Sequence, residues 1–279
     1  MKLCDLHTHS LASDGSCTPT EILDLAEERG LSAVALCDHN NLNGLVEFYT
    51  VGKERAVEAI PGVEITVDYE GTELHLLGLY IPRACFGRLA LFLQKTDRDK
   101  ENSNRSLVAS LNRAGYDIDY DEIKRKNPKS LINRVQIAVE LMEKGYVADR
   151  NEAFATLLSE EGGHYKPGPR LSIWTALEAL LEAEAVPVLA HPLLQMNREE
   201  LQEFLPKAKA KGLVGMECYY STYDEEETRC ALELAAEFGL VPSGGSDFHG
   251  DNKPHISLGT GVGNLQVPYT CAQALKPTE

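Results

Sequence analysis

The chain has 279 residues, of which 43% are hydrophobic and 25% are charged, with 22 glycines and 13 prolines. This composition excludes a disordered tail protein, a collagen and a disulfide-stabilised mini-protein. The length suits a single α/β barrel, although two smaller domains would also fit. Forty-three acidic residues against 27 basic residues give a formal net charge of −16. We therefore expect no binding of long nucleic acid or of anionic membranes, and charge alone argues against a phosphorylated substrate.

The N-terminal residues and the cysteines indicate a cytoplasmic location. The sequence MKLCDLHTHS contains neither the basic region nor the apolar region of a signal peptide. The longest apolar runs, such as Val186–Ala190, are far shorter than the ~20 residues that cross a bilayer. The seven cysteines are scattered and contain no C-x-x-C pair. This pattern predicts reduced thiols and no zinc ribbon.

The N-terminal part of the chain alternates between strand and helix patterns. The predicted strands are Lys2–His7, Leu31–Cys37, Gly62–Asp68 and Glu73–Tyr80. Thr18-Pro19-Thr20-Glu21 combines a capping box with proline at the first helical position, which predicts a helix that ends at Gly30. The Glu70-Gly71 pair predicts a tight turn, so the last two strands form a hairpin.

The segment 83–165 has a different pattern, with apolar residues at helical spacing such as Leu107 and Leu111. We interpret it as a helical cap subdomain inserted into a barrel domain formed by residues 1–82 and 166–279. Strand and helix patterns alternate again after the insertion, which predicts an α/β fold with a mostly parallel sheet. The later predicted elements are helix Ile173–Glu184, strand Val186–Ala190, helix Glu199–Lys211, strand Leu213–Cys218, helix Glu225–Phe238 and strand Leu240–Ser243.

Most histidines fall at the predicted strands. Six of the eight lie in or just beyond a strand, namely His7, His9, His39, His75, His191 and His249. In α/β barrels the carboxyl ends of the strands form the active-site mouth. Residues i and i+2 share one face of a strand, so His7 and His9 suit a common metal ion. With Asp14, Glu64 and Asp247, the mixture of imidazoles and carboxylates predicts Mn²⁺, Fe²⁺ or Zn²⁺ and argues against an all-oxygen site.

The order of these motifs resembles the PHP family (polymerase and histidinol phosphatase) over most of the chain. In sequence they are H-x-H, a D-G loop, an apolar strand ending in D-H, P-G-x-E, a lone His, A-H-P and G-S-D-x-H. The helical insertion, Ala153-Phe154 and Tyr165-Lys166-Pro167 are similar to the subgroup that contains nucleoside 3′,5′-bisphosphate phosphatases and 5′→3′ exoribonucleases. The resemblance implies a distorted (β/α)7 TIM-like barrel with a helical cap and a trinuclear metal site.

The resemblance assigns nine residues of this chain to as many as three divalent ions (Mn, Fe or Zn). The ligands of the first metal would be His7, His9, Glu64 and Asp247. The second metal would share Glu64 and add His75 and His191. The ligands of the third metal would be Asp14, His39 and His249. The roles of two further acids are not part of these ligand sets. Asp38 is expected to hold an imidazole in place, and Asp5 needs a partner that the sequence does not identify.

The implied reaction is attack of a metal-bridging hydroxide on phosphorus, with the metals offsetting charge on the oxygens. Asp247 is the candidate to accept the hydroxide proton, and a metal-bound water or a nearby histidine such as His191 would protonate the leaving group. Arg134 is expected to bind phosphate, because it occupies the arginine of the subgroup's R-x-H motif. The histidine of that motif is replaced here by Gln136, which is expected to bind substrate through its amide group but cannot carry a proton. Weaker candidates for substrate binding are Lys166 and Arg170, for which a surface role is equally open.

These observations predict a metal-dependent phosphoesterase that acts on a small phosphorylated metabolite. The first candidate is a nucleotide, either a nucleoside 3′,5′-bisphosphate or a 5′-nucleotide or short oligonucleotide. Histidinol phosphate is the alternative substrate within the same chemistry. A metal-loaded PHP module without turnover and C–N hydrolysis are alternatives of a different class. The oligomeric state stays open.

Overall fold

The computed structural model describes residues 2–127, 132–166 and 170–277. Pro167, which belongs to one of the subgroup motifs, lies outside these ranges. The chain divides into two compact units: the first comprises Met1–Phe92 and Leu171–Glu279, and the second comprises Leu93–Arg170. Among the described residues, no helix combines the length and the apolar character that crossing a membrane requires.

Two β-sheets form the framework of the first unit. Their strands are β1 (Leu3–Thr8), β2 (Ala33–Leu36), β3 (Glu58–Pro61), β4 (Val63–Tyr69), β5 (Thr72–Leu79), β6 (Val186–Ala190), β7 (Gly215–Tyr220), β8 (Val241–Gly245) and β9 (Val267–Pro268). One sheet has the order β3-β2-β1-β9, in which β1, β2 and β3 are parallel. The other has the order β4-β5-β6-β7-β8, in which β5 is antiparallel to both neighbours. The mostly parallel arrangement is therefore interrupted by the hairpin strand β5 and by β9.

Helices account for about half of the other described residues. They are α1 (Pro19–Glu28), α2 (Leu45–Gly52), α3 (Phe86–Arg113), α4 (Tyr120–Lys126), α5 (Arg134–Glu143), α6 (Arg150–Ala153), α7 (Ile173–Glu182), α8 (Arg198–Ala210), α9 (Glu225–Glu237) and α10 (Tyr269–Leu275). Helix α1 begins with the predicted capping box, in which the Thr18 hydroxyl accepts from the Glu21 backbone and the Glu21 carboxylate accepts from the Thr18 backbone. The helical character of the insertion is confirmed, and Leu107 and Leu111 belong to one buried cluster of the second unit.

The predicted hairpin is present as β4 and β5. Glu70 and Gly71 both have positive φ angles, 52° and 92°, which is the backbone of a tight two-residue hairpin turn. Helix α2 and strand β3 were not predicted. Helix α2 has only eight residues, includes β-branched and aromatic side chains, and follows Gly44, which provides no side-chain cap. Glu47 in the first turn is a weak signal for a helix start, so the sequence did not reveal this helix.

An apolar cluster joins the two sheets of the first unit. It includes Leu6 and Ala35 from the first sheet, Leu77 and Val188 from the second sheet, and Leu275 from α10. All five side chains are buried. Because these residues come from segments far apart in sequence, the cluster fixes the strands of both sheets relative to one another.

Beyond the strand ends, the backbones of the two sheets also meet directly. Thr8 forms a parallel bridge with Phe248, and His39 forms a parallel bridge with Glu64. The Asp247 N–H donates to the carbonyl of His7 at 2.9 Å, and the His9 N–H donates to the carbonyl of Phe248 at 2.9 Å. These contacts bring the polar ends of β1, β2, β4 and β8 to one place.

Gly245, the last residue of β8, sets how closely β1 and β8 approach. A methyl group at this position would lie 2.4 Å from Cβ and 2.5 Å from the backbone nitrogen of His7. We expect Gly245→Ala to lower the free energy of unfolding by about 1–3 kcal/mol, because buried backbone has to shift. Urea denaturation measures this change.

Gly87→Ala is the matched control, since a methyl group there meets nothing within 4 Å and Gly87 lies in α3. This variant should gain as much as ~1 kcal/mol from helix propensity. Equal stabilities of the Gly245→Ala variant and the wild type would contradict the tight approach of the two strands.

Candidate metal centre

All nine residues that the resemblance assigns to metals lie together in the first unit. Strand β1 carries His7 and leads directly to His9, and Asp14 follows on the next loop. The other six are reached from five further strands: His39 after β2, Glu64 in β4, His75 in β5, His191 after β6, and Asp247 and His249 after β8. Glu64 and His75 also lie on the same face of the hairpin. His75 pairs with Thr66, and Glu64 is two residues from Thr66, so its side chain points to the same side of the sheet.

Glu64 lies at the centre of the cluster and is fully buried. Its Oε2 atom is 3.2 Å from His7 Nε2, 3.3 Å from His9 Nε2 and 3.0 Å from His39 Nδ1. Its Oε1 atom is 2.7 Å from His75 Nδ1 and 3.1 Å from His191 Nε2. The two oxygens of one carboxylate thus face two different sets of imidazoles.

Several groups of donor atoms are close enough to hold a cation. His7, His9, Glu64 and Asp247 place one ligand atom each within 4.8 Å of one another. The same holds for three further groups, one of His9, Asp14, His39 and His249, another of His39, Glu64 and His75, and a third of His7, His191 and Glu217. Except for Glu217, the members of these groups all belong to the ligand sets that the resemblance implies. The role of each residue as a ligand stays a proposal.

Unpaired polar atoms inside the protein support a cation at this place. Eight buried side-chain nitrogen or oxygen atoms of the described residues make no hydrogen bond, and six of them belong to this cluster. They are His7 Nε2, both ring nitrogens of His9, Glu64 Oε2, His75 Nδ1 and His191 Nδ1. Some of the six still lie close to an opposite charge, as His75 Nδ1 does at 2.7 Å from Glu64 Oε1. A buried polar atom without a partner is costly. Divalent cations would supply the missing partners, so the residues fit the metals that the motifs imply.

The protonation states of the cluster also suit metal binding. Burial, with the neighbouring His39, lowers the pKa of His9 to about 3, which keeps this imidazole neutral. Burial acts to raise the pKa of Glu64, but His39 and His7 lower it well below its usual value. For His7, burial is outweighed by Glu217 and Glu64, which raise its pKa. Ionised carboxylates and neutral imidazoles are the forms that bind metals, so a cation would have to displace a proton from His7.

Three further buried acids support the cluster, and sequence reasoning missed the part that each plays. Asp5 accepts hydrogen bonds from Ser246 and from the backbone of Gly259, which identifies its partners. Asp38 was expected to hold an imidazole, but its hydrogen bonds come from Ser10 and Ser13, on the loop that leads to Asp14. Glu217 contacts His7 and His191 and was not singled out. Its only sequence signal is a charge inside an apolar strand.

Asp247 presents its two oxygens to different neighbours. Oδ1 lies 3.1 Å from His9 Nε2, whereas Oδ2 accepts hydrogen bonds from Tyr220 at 2.9 Å and from Lys253 Nζ at 2.8 Å. Lys253, which is 37% exposed at its side chain, was also missed. The oxygen that faces away from His9 is therefore occupied by two donors, which argues against Oδ2 as the acceptor of the hydroxide proton.

The predicted substrate residues lie in the second unit. The Arg134 guanidinium lies 4.2 Å from the ring centre of Tyr165 and 5.5 Å from that of Phe154, and it donates to the carbonyl of Leu158. The side-chain oxygen of Gln136 accepts the Asn133 N–H at 3.0 Å and closes the capping box of α5. Gln136 thus stabilises the start of α5, a structural role that was not expected from the sequence.

Lys166 and Arg170 are both exposed. Ser103 donates a hydrogen bond to the backbone carbonyl of Lys166, and the Arg170 guanidinium lies 3.5 Å from the Glu160 carboxylate. For both residues, binding of substrate stays a prediction.

Comparison with known proteins identifies the family to which the chain belongs. The model of the PHP domain matches residues 5–163. The chain is 31% identical to a 5′-3′ exoribonuclease of Haemophilus influenzae over 89% of this chain and 90% of that protein. The chain belongs to the PHP domain family. A 3′,5′-nucleoside bisphosphate phosphatase of Chromobacterium violaceum is 32% identical over 88% of this chain and 86% of its own length.

A solved structure shares the PHP fold over almost the whole chain. It comes from Chromobacterium violaceum, is described as an amidohydrolase with bound sulfate and no metal, and superimposes with a TM-score of 0.75 at 30% identity. The match covers 98% of this PHP chain and 95% of the other. The α/β PHP fold and the family resemblance are therefore confirmed. With its buried cluster of metal-binding side chains, this PHP protein is a metal-dependent phosphoesterase.

The unpaired donors predict that divalent metals stabilise the protein. A ligand that binds only the folded state at a hundred times its Kd adds about 2.7 kcal/mol to the free energy of unfolding. We expect Mn²⁺ or Zn²⁺ to raise the Tm of chelator-treated protein, and His9→Ala to weaken the effect. Scanning calorimetry with and without metal measures both.

His255→Ala is the control, because this exposed histidine lies outside the donor groups. It should keep the full response to metal. A wild-type Tm that does not change with metal would contradict the centre.

Proposed function

We propose that the protein hydrolyses a phosphomonoester of a small nucleotide. The foremost candidates are a nucleoside 3′,5′-bisphosphate and a 5′-nucleotide or short oligonucleotide. The observation that carries this proposal is the cluster of buried, unpaired imidazole and carboxylate atoms around Glu64. The choice of a nucleotide as substrate is supported by the activities named for two relatives, each of which this chain matches over most of its length.

We propose that as many as three divalent ions are held by the ligand sets described above. Glu64 would serve two of them, because its two oxygens face different imidazoles. The mixture of nitrogen and oxygen donors suits Mn, Fe or Zn. When bound, such ions supply an activated water for attack on phosphorus and offset negative charge on the phosphoryl oxygens. We further propose that the two sheets close as a distorted seven-stranded barrel, with β3 and β4 counted as one strand, which is supported by the bridges Thr8–Phe248 and His39–Glu64.

The side chains around these ions have separate tasks in this proposal. Asp247 Oδ1 faces His9 and would act as a ligand, while Tyr220 and Lys253 occupy Oδ2. Both oxygens are therefore engaged, so we assign Asp247 the role of ligand and not that of proton acceptor. His191 remains a candidate for proton transfer to the leaving group, since its Nδ1 atom has no partner. Six of the nine proposed ligands are buried, so bulk water is excluded from that part of the cluster, whereas Asp14 is exposed and His39 and His75 are partly exposed.

The helical unit is proposed as the cap that contributes to substrate binding. Arg134 lies against the rings of Tyr165 and Phe154, which leaves a planar cation held in place by aromatic side chains. Such a guanidinium suits phosphate or a nucleobase. Gln136 is bound into the helix cap, so we assign it no direct role in proton transfer. Lys166 and Arg170 remain secondary candidates.

A panel of substrates under defined metal loading tests the proposed function. Adenosine 3′,5′-bisphosphate, 5′-AMP, a 5′-phosphorylated RNA trimer and histidinol phosphate are each supplied with Mn²⁺, Fe²⁺ or Zn²⁺, and released phosphate or nucleotide is measured. We expect turnover of a nucleotide at least tenfold above that of histidinol phosphate. His9→Ala should lower kcat/KM by about a hundredfold or more, because a ligand is lost.

His255→Ala provides the control and should retain wild-type activity. Turnover that survives exhaustive chelation or His9→Ala would refute the proposal. A preference for histidinol phosphate would replace the nucleotide by the alternative substrate. Absence of turnover on the whole panel by metal-loaded protein would favour a non-catalytic module.

Lys253 provides a more specific test of phosphate binding. Its ammonium group is bound to Asp247 yet partly exposed, so it can donate a further hydrogen bond to a phosphoryl oxygen. Loss of one charge-assisted hydrogen bond costs about 1.5–3 kcal/mol. We therefore expect Lys253→Met to raise KM at least tenfold, and Lys253→Arg to recover part of that loss. Steady-state kinetics on the best nucleotide measures this effect.

Lys209→Met removes another exposed lysine of the first unit, whose ammonium group donates to the carbonyl of Gly239. Its KM should stay at the wild-type value. An unchanged KM in Lys253→Met would exclude contact between Lys253 and the substrate.

A further inference from the structure

Glu217 is a charged residue in the middle of strand β7, and its side chain is fully buried. Its neighbours along the strand, Met216 and Cys218, are buried as well. A carboxylate in such surroundings is costly unless hydrogen bonds satisfy both oxygens. The two oxygens of Glu217 meet this condition through two residues of the metal centre.

The first contact is with the imidazole of His7. Glu217 Oε1 lies 3.0 Å from His7 Nδ1. The ionised form of a carboxylate can only accept, so we assign the proton of this contact to Nδ1. The opposite ring nitrogen, Nε2, is then the atom with a free lone pair in the neutral ring. That atom is buried without a hydrogen-bond partner and lies 3.2 Å from Glu64 Oε2. Glu217 thereby selects the tautomer of His7 that can bind a metal.

The second contact is with the backbone of His191. Glu217 Oε2 accepts the His191 N–H at 2.8 Å. His191 has φ 28° and ψ 51°, a left-handed conformation that is unfavourable for a residue with a side chain. This turn directs the His191 ring to Glu64, with Nε2 at 3.1 Å from Oε1. The hydrogen bond from Glu217 therefore stabilises the backbone geometry that this ligand position needs.

We propose that Glu217 is a positioning residue that orients His7 and His191 on the two sides of Glu64. One carboxylate fixes the tautomer of one imidazole and the backbone turn of the other, so the two proposed metal positions share one support. One ligand atom each of His7, His191 and Glu217 lies within 4.8 Å of the others. Both oxygens of Glu217 are already engaged, one by His7 Nδ1 and the other by the His191 N–H, so we assign Glu217 a positioning role and not a ligand role. This inference rests on the proposed metal centre.

The test compares metal affinity between Glu217→Gln and a control on the same strand. Glutamine keeps the size of the side chain but has one acceptor oxygen, and its amide N–H groups face the remaining donor. Mn²⁺ and Zn²⁺ affinities of the full chain are measured by competition with a chromophoric chelator, and metal content by elemental analysis. We expect Glu217→Gln to weaken affinity about tenfold to a hundredfold, as other losses of a carboxylate behind a metal-binding imidazole do.

Cys218→Ala is the matched control, because Cys218 is equally buried but its thiol contacts the carbonyl of Ala231 in α9. Urea unfolding of the metal-free proteins reports the stability of each variant. The control should lose stability and keep wild-type metal affinity. Glu217→Asp serves as a second variant if Glu217→Gln does not fold. It retains the charge but cannot span both donors, so weakened affinity is expected again.

The possible results separate the inference from the proposed function. Wild-type metal affinity in both Glu217 variants would overturn the positioning role and leave the proposed function intact. Loss of one ion with unchanged affinity for the others would also overturn it, because Glu217 would then be a ligand. A wild-type protein that binds no metal would overturn the proposed function and this inference together. Weakened affinity in Glu217→Gln and wild-type affinity in Cys218→Ala would support the inference.

Discussion

The structure of the first unit depends on one buried carboxylate surrounded by imidazoles. Glu64 is fully buried, and its burial would favour the neutral acid if nothing opposed it. The imidazole atoms around it reverse that preference, and the pKa of Glu64 falls well below its usual value. Four of these imidazoles have buried ring nitrogens that make no hydrogen bond within the described residues. The five imidazoles belong to His7, His9, His39, His75 and His191.

The topology explains how so many polar groups are held at one place. Asp247 has a φ of 56° and His191 a φ of 28°, and both conformations are costly for residues other than glycine. Each is held by a hydrogen bond that its backbone N–H donates, to the carbonyl of His7 for Asp247 and to the carboxylate of Glu217 for His191. Long-range hydrogen bonds thus hold both residues in unfavourable backbone conformations. Such conformations are expected at functional sites, where the position of a side chain matters more than stability.

Features fixed by local chemistry could be predicted from the sequence. The capping box at Thr18, the turn at Gly71 and the strand Val186–Ala190 follow from neighbouring residues and are present as expected. The capping box at Gln136 could also have been recognised, since Asn133 precedes it by three residues. The expected role of Gln136 in substrate binding came from the subgroup's R-x-H motif, and the capping signal next to it was overlooked.

Features fixed by distant contacts could not be predicted in the same way. Asp5 is satisfied by Ser246 and Gly259, which lie more than 240 residues further along the chain. Glu217 is paired with His7 across 210 residues. Such partners become neighbours only once both sheets are packed. The order of the metal-binding motifs predicted which side chains meet, but the acids that orient them had no comparable pattern.

The net charge of −16 takes on a different meaning at this site. It weighs against long polyanions, which meet the whole surface, because repulsion acts over about a Debye length of ~10 Å. Within the cluster, the carboxylates of Asp14, Glu64 and Asp247 are all held ionised by nearby imidazoles. Each proposed divalent ion carries two positive charges, whereas each of these carboxylates carries one negative charge. Binding of the ions would therefore change the local charge of the cluster from negative to positive. Phosphate and metal then favour each other's binding, while the rest of the surface continues to repel a long nucleic acid. Acidity of the whole chain and affinity for a small phosphorylated substrate are therefore compatible.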